Sequence, residues 1–399
     1  MKVLYISYDG ILEPLGKSQV VSYLNKLSKK HEIILISYEK KEDLKNDKLF
    51  KSMYKYLKKS GICWHALTYH KSPTALATLY DIIVGALFGL YLVVKNDVQI
   101  IHARSYVPSV MALVVKKIHR VGFIFDMRGF WADERVDGNL WKKNSNIYKV
   151  SKWFEKKFLL NADVVISLTH SAIEEMNKFP YLKNKKPKFE VITTCTDLEL
   201  FGSKTLTNDS SNRDSEFILG YVGSVGVWYL FEEALLFYKT LKETIPNARL
   251  CIINKGGHDY INDCLHRMKI DKDLVTVETK NSLGVSAAMK LMSAGVFIIK
   301  PVFSKKASAP TKMGEFLGCG VPCVINNGIG DSADIIKNEN VGVVLNAFDR
   351  NEMYKGVKEL IKLVNDPDIV KRCVNAAKVH FSLDDGVKSY DKVYNSFEK

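Results

Sequence analysis

Cysteine is scarce and unpatterned, with seven in 399 residues. A disulfide scaffold or a four-ligand zinc site needs paired spacings, and Cys319 and Cys323 stand without a second pair. All seven therefore read as thiols of a reducing compartment. Only residues 73–94 form a long apolar run, which excludes a polytopic membrane protein. Met1-Lys2 leads straight into VLYISY with no small-residue cleavage pattern, so no secretory leader is expected. The first loop carries Gly10 and Gly16 but not the G-x-G-x-x-G spacing, which disfavours a nicotinamide enzyme. Two D-x-D triplets, Asp271 to Asp273 and Asp366 to Asp368, do not end apolar runs and read as surface turns. No metal and no cofactor are expected.

What is present is enough apolar residue, 47%, for two domains with separate cores. The formal charge of +14 is uneven: residues 1–200 hold 32 Lys+Arg against 20 Asp+Glu, and the remainder 26 against 24. A basic first half suits nucleic acid, anionic lipid or plain solubility. No basic-and-aromatic stacking pattern singles out nucleic acid, and none is expected as a partner.

Short apolar runs alternate with helical periodicities along the whole chain. KVLYISY, a loop, the Val20, Val21, Leu24 and Leu27 pattern and then Ile33 to Ser37 open a βαβ unit. Further strands are predicted at VQII, Gly122 to Asp126, 163–168, 217–222, 248–254, 274–279, 295–300 and 322–325. The expected fold is α/β, with two Rossmann-like parallel-sheet domains. Within residues 44–59, Phe50, Met53, Tyr54 and Leu57 form one stripe flanked by Lys45, Lys48, Lys51, Lys55, Lys58 and Lys59. That is either a basic amphipathic helix in an anionic membrane interface or a surface helix packed on its domain. Residues 73–94 read as a buried or monotopic helix, since Asp81 and two glycines interrupt the run.

Loops at the carboxyl ends of parallel strands form the ligand crevice of such sheets. Two candidates stand out, one holding His102, Arg104 and Ser105, the other FDMRGFWADERVDG. The second crowds Asp126, Arg128, Asp133, Glu134 and Arg135 around Phe130 and Trp131, as a polar acceptor pocket or a salt-bridged loop. Farther on, SAPTKMGEFLGCGVPCVI reads as a helix entry with capping hydroxyls on Ser308 and Thr311, stopped at Gly318-Cys319-Gly320. The open N–H groups of a first helical turn, with Lys300, Lys305, Lys306 and Lys312 near in sequence, suit a diphosphate. Glu315, one turn in, could accept from two sugar hydroxyls.

The run KMGEFLGCGVPCV resembles the K-x-x-E-x-x-A-x-G-x-P-V segment of family 4 glycosyltransferases, two-domain GT-B enzymes that transfer sugars from nucleotide donors with retention. The resemblance extends to most of the chain. It implies that the helix near Ser308, Thr311 and Lys312 binds the donor diphosphate and that Glu315 binds the ribose. Gly16, Lys17, Ser18 and Gln19 fall in the loop beside donor and acceptor. Gly223 matches the start of the G-R-x-x-x-x-K loop, whose charges are replaced by Ser224 and Tyr229, and Lys300 could compensate. Thr279 and Lys280 match the base-contacting loop. Asp126 and Arg128 match a D-x-H-G turn with Arg in place of His, which implies charge stabilisation rather than base chemistry. Arg104 and Trp131, with Lys17 and Gln19, are acceptor candidates. Ala307 replaces the Glu that contacts the donor sugar, so the sugar is not named. Asp197 and Phe201 match the interdomain segment, and Gly202 to Glu216 reads as a linker. The implied domains are 1–202, 216–380 and a helix at 381–399 crossing back to the first domain.

Three functions stay open at this point. One is a metal-independent hexosyltransferase acting on a saccharide or lipid-linked glycan in surface polysaccharide assembly, peripheral to the inner membrane face in the cytoplasm. Another is a nucleotide-sugar epimerase of the same shape. The last is a non-catalytic basic module binding membrane or nucleic acid.

Overall fold

Among the described residues, thirteen strands form where β-branched and aromatic runs are bounded by glycine, proline or charged turns, and all of their pairings are parallel. The structure, a computed structural model, describes residues 1–202 and 216–398. Of the segment read as a linker, residues 203–215 lie outside the described residues. The chain divides into two compact units, Met1–Thr193 with Asp384–Lys399, and Thr194–Leu383. The division falls before the expected Gly202, because Thr196 pairs with Ser382 and Phe201 joins the second core.

The first unit holds a seven-stranded sheet in the order β3-β2-β1-β4-β5-β6-β7. Its strands are β1 (Lys2–Ser7), β2 (Glu32–Glu39), β3 (Ile62–Thr68), β4 (Ile100–Arg104), β5 (Gly122–Asp126), β6 (Val164–Ser167) and β7 (Lys188–Val191). The order reverses between β1 and β4, where Ser7 pairs with Arg104. A ligand crevice is expected at that switch point.

Side chains alternate across a sheet, so β3 shows which helices share a face. Trp64 meets Phe50 and Tyr54 of the Asp47–Lys59 helix, while His65 meets Phe88 of the Thr74–Asn96 helix. These two helices thus lie on opposite faces. The Leu383–Asn395 helix shares the face away from Thr74–Asn96, with Tyr394 over His31 and Tyr390 over Tyr23.

The stripe of residues 44–59 packs in part on its own domain. Asn46 breaks the segment and caps the second part by accepting from Leu49 N–H, and Met53 and Leu57 are buried in the domain. Phe50 and Tyr54 rest on Trp64, and the outer surface of the helix carries its lysines with the exposed rings of Tyr54 and Tyr56.

The second unit holds a six-stranded sheet in the order β10-β9-β8-β11-β12-β13. The strands are β8 (Ile218–Val222), β9 (Arg249–Ile253), β10 (Val275–Glu278), β11 (Ala294–Val296), β12 (Cys323–Asn326) and β13 (Gly342–Leu345). Its switch point lies between β8 and β11. The predicted strand 295–300 shortens to three residues, since beyond Val296 the chain turns to bridge Tyr229 through Ile299.

Candidate functional site

In the second unit, Gly223 follows β8 at φ +141, a backbone conformation that glycine adopts without strain. An ideal Cβ there would meet nothing within 4 Å, so the glycine opens space at the strand ends. The loops after β8, β9 and β10 are held together by Asn254, which sequence reasoning missed. Its amide donates to the Gly223 carbonyl at 2.7 Å and accepts from Gly257 N–H at 2.6 Å. Thr279 donates its hydroxyl to the Asn254 carbonyl at 2.8 Å and lies 3.3 Å from His258 Nε2. Ser224 is placed by its backbone, its carbonyl accepting from Tyr221 OH at 2.7 Å. Lys300 is fixed through its backbone, whose N–H donates to the Trp228 carbonyl, and Lys305 lies 4.0 Å from the centroid of the Trp228 ring.

The expected helix begins later than Ser308. Residues Phe303–Ala307 form a tight 3-10 turn, and the α-helix runs Thr311–Gly318 with Pro310 at its N-cap and no side-chain cap. Neither Ser308 nor Thr311 caps it, and Met313 N–H turns back to the Pro310 carbonyl at 3.1 Å, which leaves the N–H groups of Thr311 and Lys312 at the helix entry. Thr194 donates to the Ala309 carbonyl at 2.8 Å and fixes the entry. Gly314 permits close packing, since a Cβ there would lie 2.5 Å from Thr196 Oγ1. Lys312 and Glu315 form an ion pair of 2.6 Å. Burial pushes the Glu315 carboxyl above its ordinary range, and the Lys312 charge opposes that shift. Ala307 is buried, so its position faces the protein interior.

At the strand ends of the first unit, Asp126 is fully buried among cations and hydroxyls. It accepts from Tyr390 OH at 3.1 Å, and Arg104 and Arg128 approach it at 3.8 and 3.7 Å. His102 stands 3.5 Å away and shares a 2.8 Å bond with Tyr394 OH. Burial alone would raise the Asp126 carboxyl, but Arg128, His102 and Arg104 outweigh it and hold the pKa at about 2. Burial lowers the His102 pKa against the pull of Asp126. Arg128 sits at φ +57 and is followed by Gly129 at φ +142, a turn that directs the guanidinium back over the strand end. Two guanidinium groups thus meet one buried carboxylate, with the half-exposed Asp9 3.6 Å from Arg104. The two cations and two carboxylates balance in sum, so a phosphate or a developing negative charge would be met by guanidinium N–H groups rather than by a net positive charge.

The loop after β1 packs tightly. A Cβ on Gly16 would lie 2.0 Å from the Gly10 carbonyl oxygen, so no side chain fits there. Glu39, which sequence reasoning missed, accepts from the Ile11 and Leu12 N–H groups at 2.9 and 3.1 Å. Residues Lys17–Val21 form a widened π turn with Lys17 exposed and Gln19 buried. Such turns cluster at functional sites.

The aromatic loop after β5 is mainly structural. Trp131 starts the Trp131–Asp137 helix and packs on Tyr106 and Trp141, and Asp133 is held by Tyr148 and Lys152 at 2.8 Å each. Glu155, fully buried, binds Lys152 and Tyr106. Asp271 and Asp366 each accept from the N–H two residues on, closing the surface turns expected of the D-x-D triplets. Among the described residues, no group of three or more His, Cys, Asp or Glu is arranged to hold a metal.

Residues 18–200 match Glycosyltransferase Family 4, and residues 203–380 match Glycosyl transferases group 1. A search of curated proteins finds no match. Among solved structures, a glycosyltransferase from Rickettsia africae is 14% identical, with a TM-score of 0.71 over 100% of this chain and 98% of its own. HepE from Anabaena, in complex with UDP and glucose, is 12% identical with a TM-score of 0.69 over 99% and 100%. WaaG, a glycosyltransferase involved in lipopolysaccharide biosynthesis, is 12% identical with a TM-score of 0.66 over 99% of each chain. At these identities the likeness shows the fold, and the two family matches, one in each half, cover most of the sequence. The chain belongs to the family 4 glycosyltransferases and has their GT-B fold.

Proposed function

We propose that this glycosyltransferase moves a hexose, with retention and without a metal, from a nucleoside-diphosphate sugar to a lipid-linked glycan in surface polysaccharide assembly. The observation that carries the reading is the uncapped start of the Thr311–Gly318 helix, with Lys312 and Glu315 on its first turns. The N–H groups of Thr311 and Lys312 and a lysine side chain suit a diphosphate, and a largely buried carboxylate suits a ribose diol. Gly223, Ser224, Thr279 and Lys300 complete the donor side, and Gly16 keeps the loop after β1 closely packed.

On the acceptor side, Arg104 and Arg128 stabilise negative charge, and Asp126 positions them rather than exchanging a proton, since it is wholly buried. Lys17, Gln19 and Trp131 border that surface. The structure of HepE with UDP and glucose supports a uridine nucleotide as donor, and the involvement of WaaG in lipopolysaccharide biosynthesis supports a membrane-borne acceptor. The charge excess of residues 1–200 supports a place at the inner membrane face.

The test is thermal-shift screening against nucleotides and nucleotide sugars, where a donor at about a hundred times its Kd adds about 2.7 kcal/mol. A nucleoside-diphosphate sugar should stabilise the protein more than its nucleoside monophosphate does. Equal shifts from both would remove the diphosphate site, and epimerised donor without acceptor would replace transfer by isomerisation. Activity lost to a chelator and restored by manganese would overturn the metal-independent mechanism. Lys300→Ala should weaken donor binding, and unchanged affinity removes Lys300 from the site.

A further inference from the structure

The Thr74–Asn96 helix is built inside out for a helix on a water-facing sheet. Its buried residues are mostly small or polar, namely Ala77, Asp81, Gly85, Ala86 and Gly89, with Leu92 and Val93 at the far end. Its outward face carries Leu76, Tyr80, Ile83, Leu87, Tyr91 and Val94, each half exposed or more. Those positions recur every three or four residues and form one stripe along the helix. The glycines explain the packing. A Cβ on Gly85 would lie 2.3 Å from Tyr38 Oη and 2.6 Å from Met111 Sδ, so the helix beds closely and its large side chains point away. It is long and apolar enough to span a bilayer, yet Asp81 is buried and bonds His70 and Tyr8, which holds one side on the domain.

The neighbouring helices extend this surface. Tyr106–Ile118 packs beside it and Asn146–Asn161 packs beside that, exposing Ile118, Val150 and Trp153. The three helices carry seven lysines, at 95, 116, 117, 149, 152, 156 and 157, against two carboxylates, Asp81 and Glu155. Both carboxylates are buried. Lys152 is held inside by Asp133 and Glu155, and Lys116 pairs with the partly exposed Asp163, so the outer surface of these helices presents apolar side chains with Lys95, Lys117, Lys149, Lys156 and Lys157. Lys95 donates to Tyr91 OH at 2.9 Å and Lys157 lies over the Trp153 ring, pairings of cation and amphipathic ring suited to a lipid headgroup layer.

We infer that the stripe of the Thr74–Asn96 helix, with the lysines of its two neighbours, is the surface by which this protein lies on an anionic lipid bilayer. The occupant is the bilayer itself. Apolar side chains enter the headgroup and acyl boundary while the lysines meet anionic headgroups. The Asp47–Lys59 helix lies on the other face of the sheet and is not the docking surface. The inference takes its membrane setting from the proposed function, but its test does not depend on sugar transfer.

The full-length protein is sedimented with vesicles of phosphatidylcholine, with and without about a third phosphatidylglycerol, as an anionic interface requires. Binding should need the anionic lipid, and Ile83→Ser with Leu87→Ser should cut partitioning at least tenfold without changing Tm or transfer to a soluble acceptor. Leu76→Ser with Val94→Ser is a second pair with the same expectation. Lys51→Glu with Lys55→Glu should leave partitioning within twofold. The inference is overturned if both serine pairs bind like wild type or if neutral vesicles bind equally. A lipid-free dimer that the serine pairs dissociate would assign the stripe to a second copy instead.

Discussion

Replacing Glu315 by Gln keeps the shape of the side chain and removes its charge, which separates nucleotide recognition from folding. The carboxylate is largely buried and engages Lys312 at 2.6 Å. Hydrogen bonds to a charged group contribute about 1.5–3 kcal/mol, so loss of the charge facing a ribose diol should weaken a nucleoside diphosphate roughly 10- to 150-fold. Stability should change by about 1 kcal/mol or less, because relief of the buried charge offsets the loss of the ion pair. Isothermal titration of Glu315→Gln with UDP, and of wild type with inorganic pyrophosphate, reads both sides of the argument. Pyrophosphate has no ribose, so its affinity should be unchanged in Glu315→Gln and reduced in Lys312→Ala. The sign with pH follows from burial. The Glu315 pKa is raised above 4.5, so the native state holds its proton more tightly than the unfolded chain, and the folding penalty of the charged form grows as pH rises through that interval. Nucleotide affinity should in turn fall as pH drops through the raised value. A Glu315→Gln protein that binds UDP within twofold of wild type would falsify the ribose assignment, and an equal loss for pyrophosphate would place Glu315 on the phosphates.

Asp126→Asn leaves two arginines around a neutral amide and should cost about 3–5 kcal/mol in denaturant unfolding, as removing one partner of a buried ion pair does. In wild type the Asp126 pKa is depressed from 3.8 to about 2, so its contribution is complete above pH 3.8 and is lost as pH falls through about 2. Arg128→Gly should lower Tm, because the relief of a left-handed backbone, about 1 kcal/mol, is smaller than the loss of the main cation beside buried Asp126, and transfer should fall about 100-fold or more if the guanidinium stabilises developing charge. A variant that is both more stable and fully active would leave Arg128 without a chemical role. Gly16→Ala drives a methyl group into the Gly10 carbonyl and should cost about 1–3 kcal/mol, seen as a lower Tm with or without donor.

The interior strands are legible because each is a nearly continuous apolar run, as a sheet covered on both faces requires. The three strands without a clear sequence signal, β3, β7 and β13, are all sheet edges. In β7 the residues Lys188 to Val191 alternate charge with apolar bulk and are only partly buried, so their pattern does not separate from a loop. The Lys312 and Glu315 pair was readable from spacing on a short helix. Glu39 and Asn254 were not, because each acts through backbone groups of loops distant in sequence.

The sequence by itself determined two parallel α/β units, a lysine-rich first half and the helix that carries Glu315, since local periodicity and turn chemistry suffice for these. Tertiary structure alone decided that Asp126 is a buried anchor for Tyr390 and two arginines rather than an accessible base. It also decided which apolar helix has an outer face. Residues 47–59 and 74–96 both carry apolar stripes, but in the first Met53 and Leu57 are buried and Phe50 rests on Trp64, while two glycines press the second against the sheet and turn its large side chains outward. Periodicity marks a stripe, and only packing against the rest of the chain determines whether protein covers it.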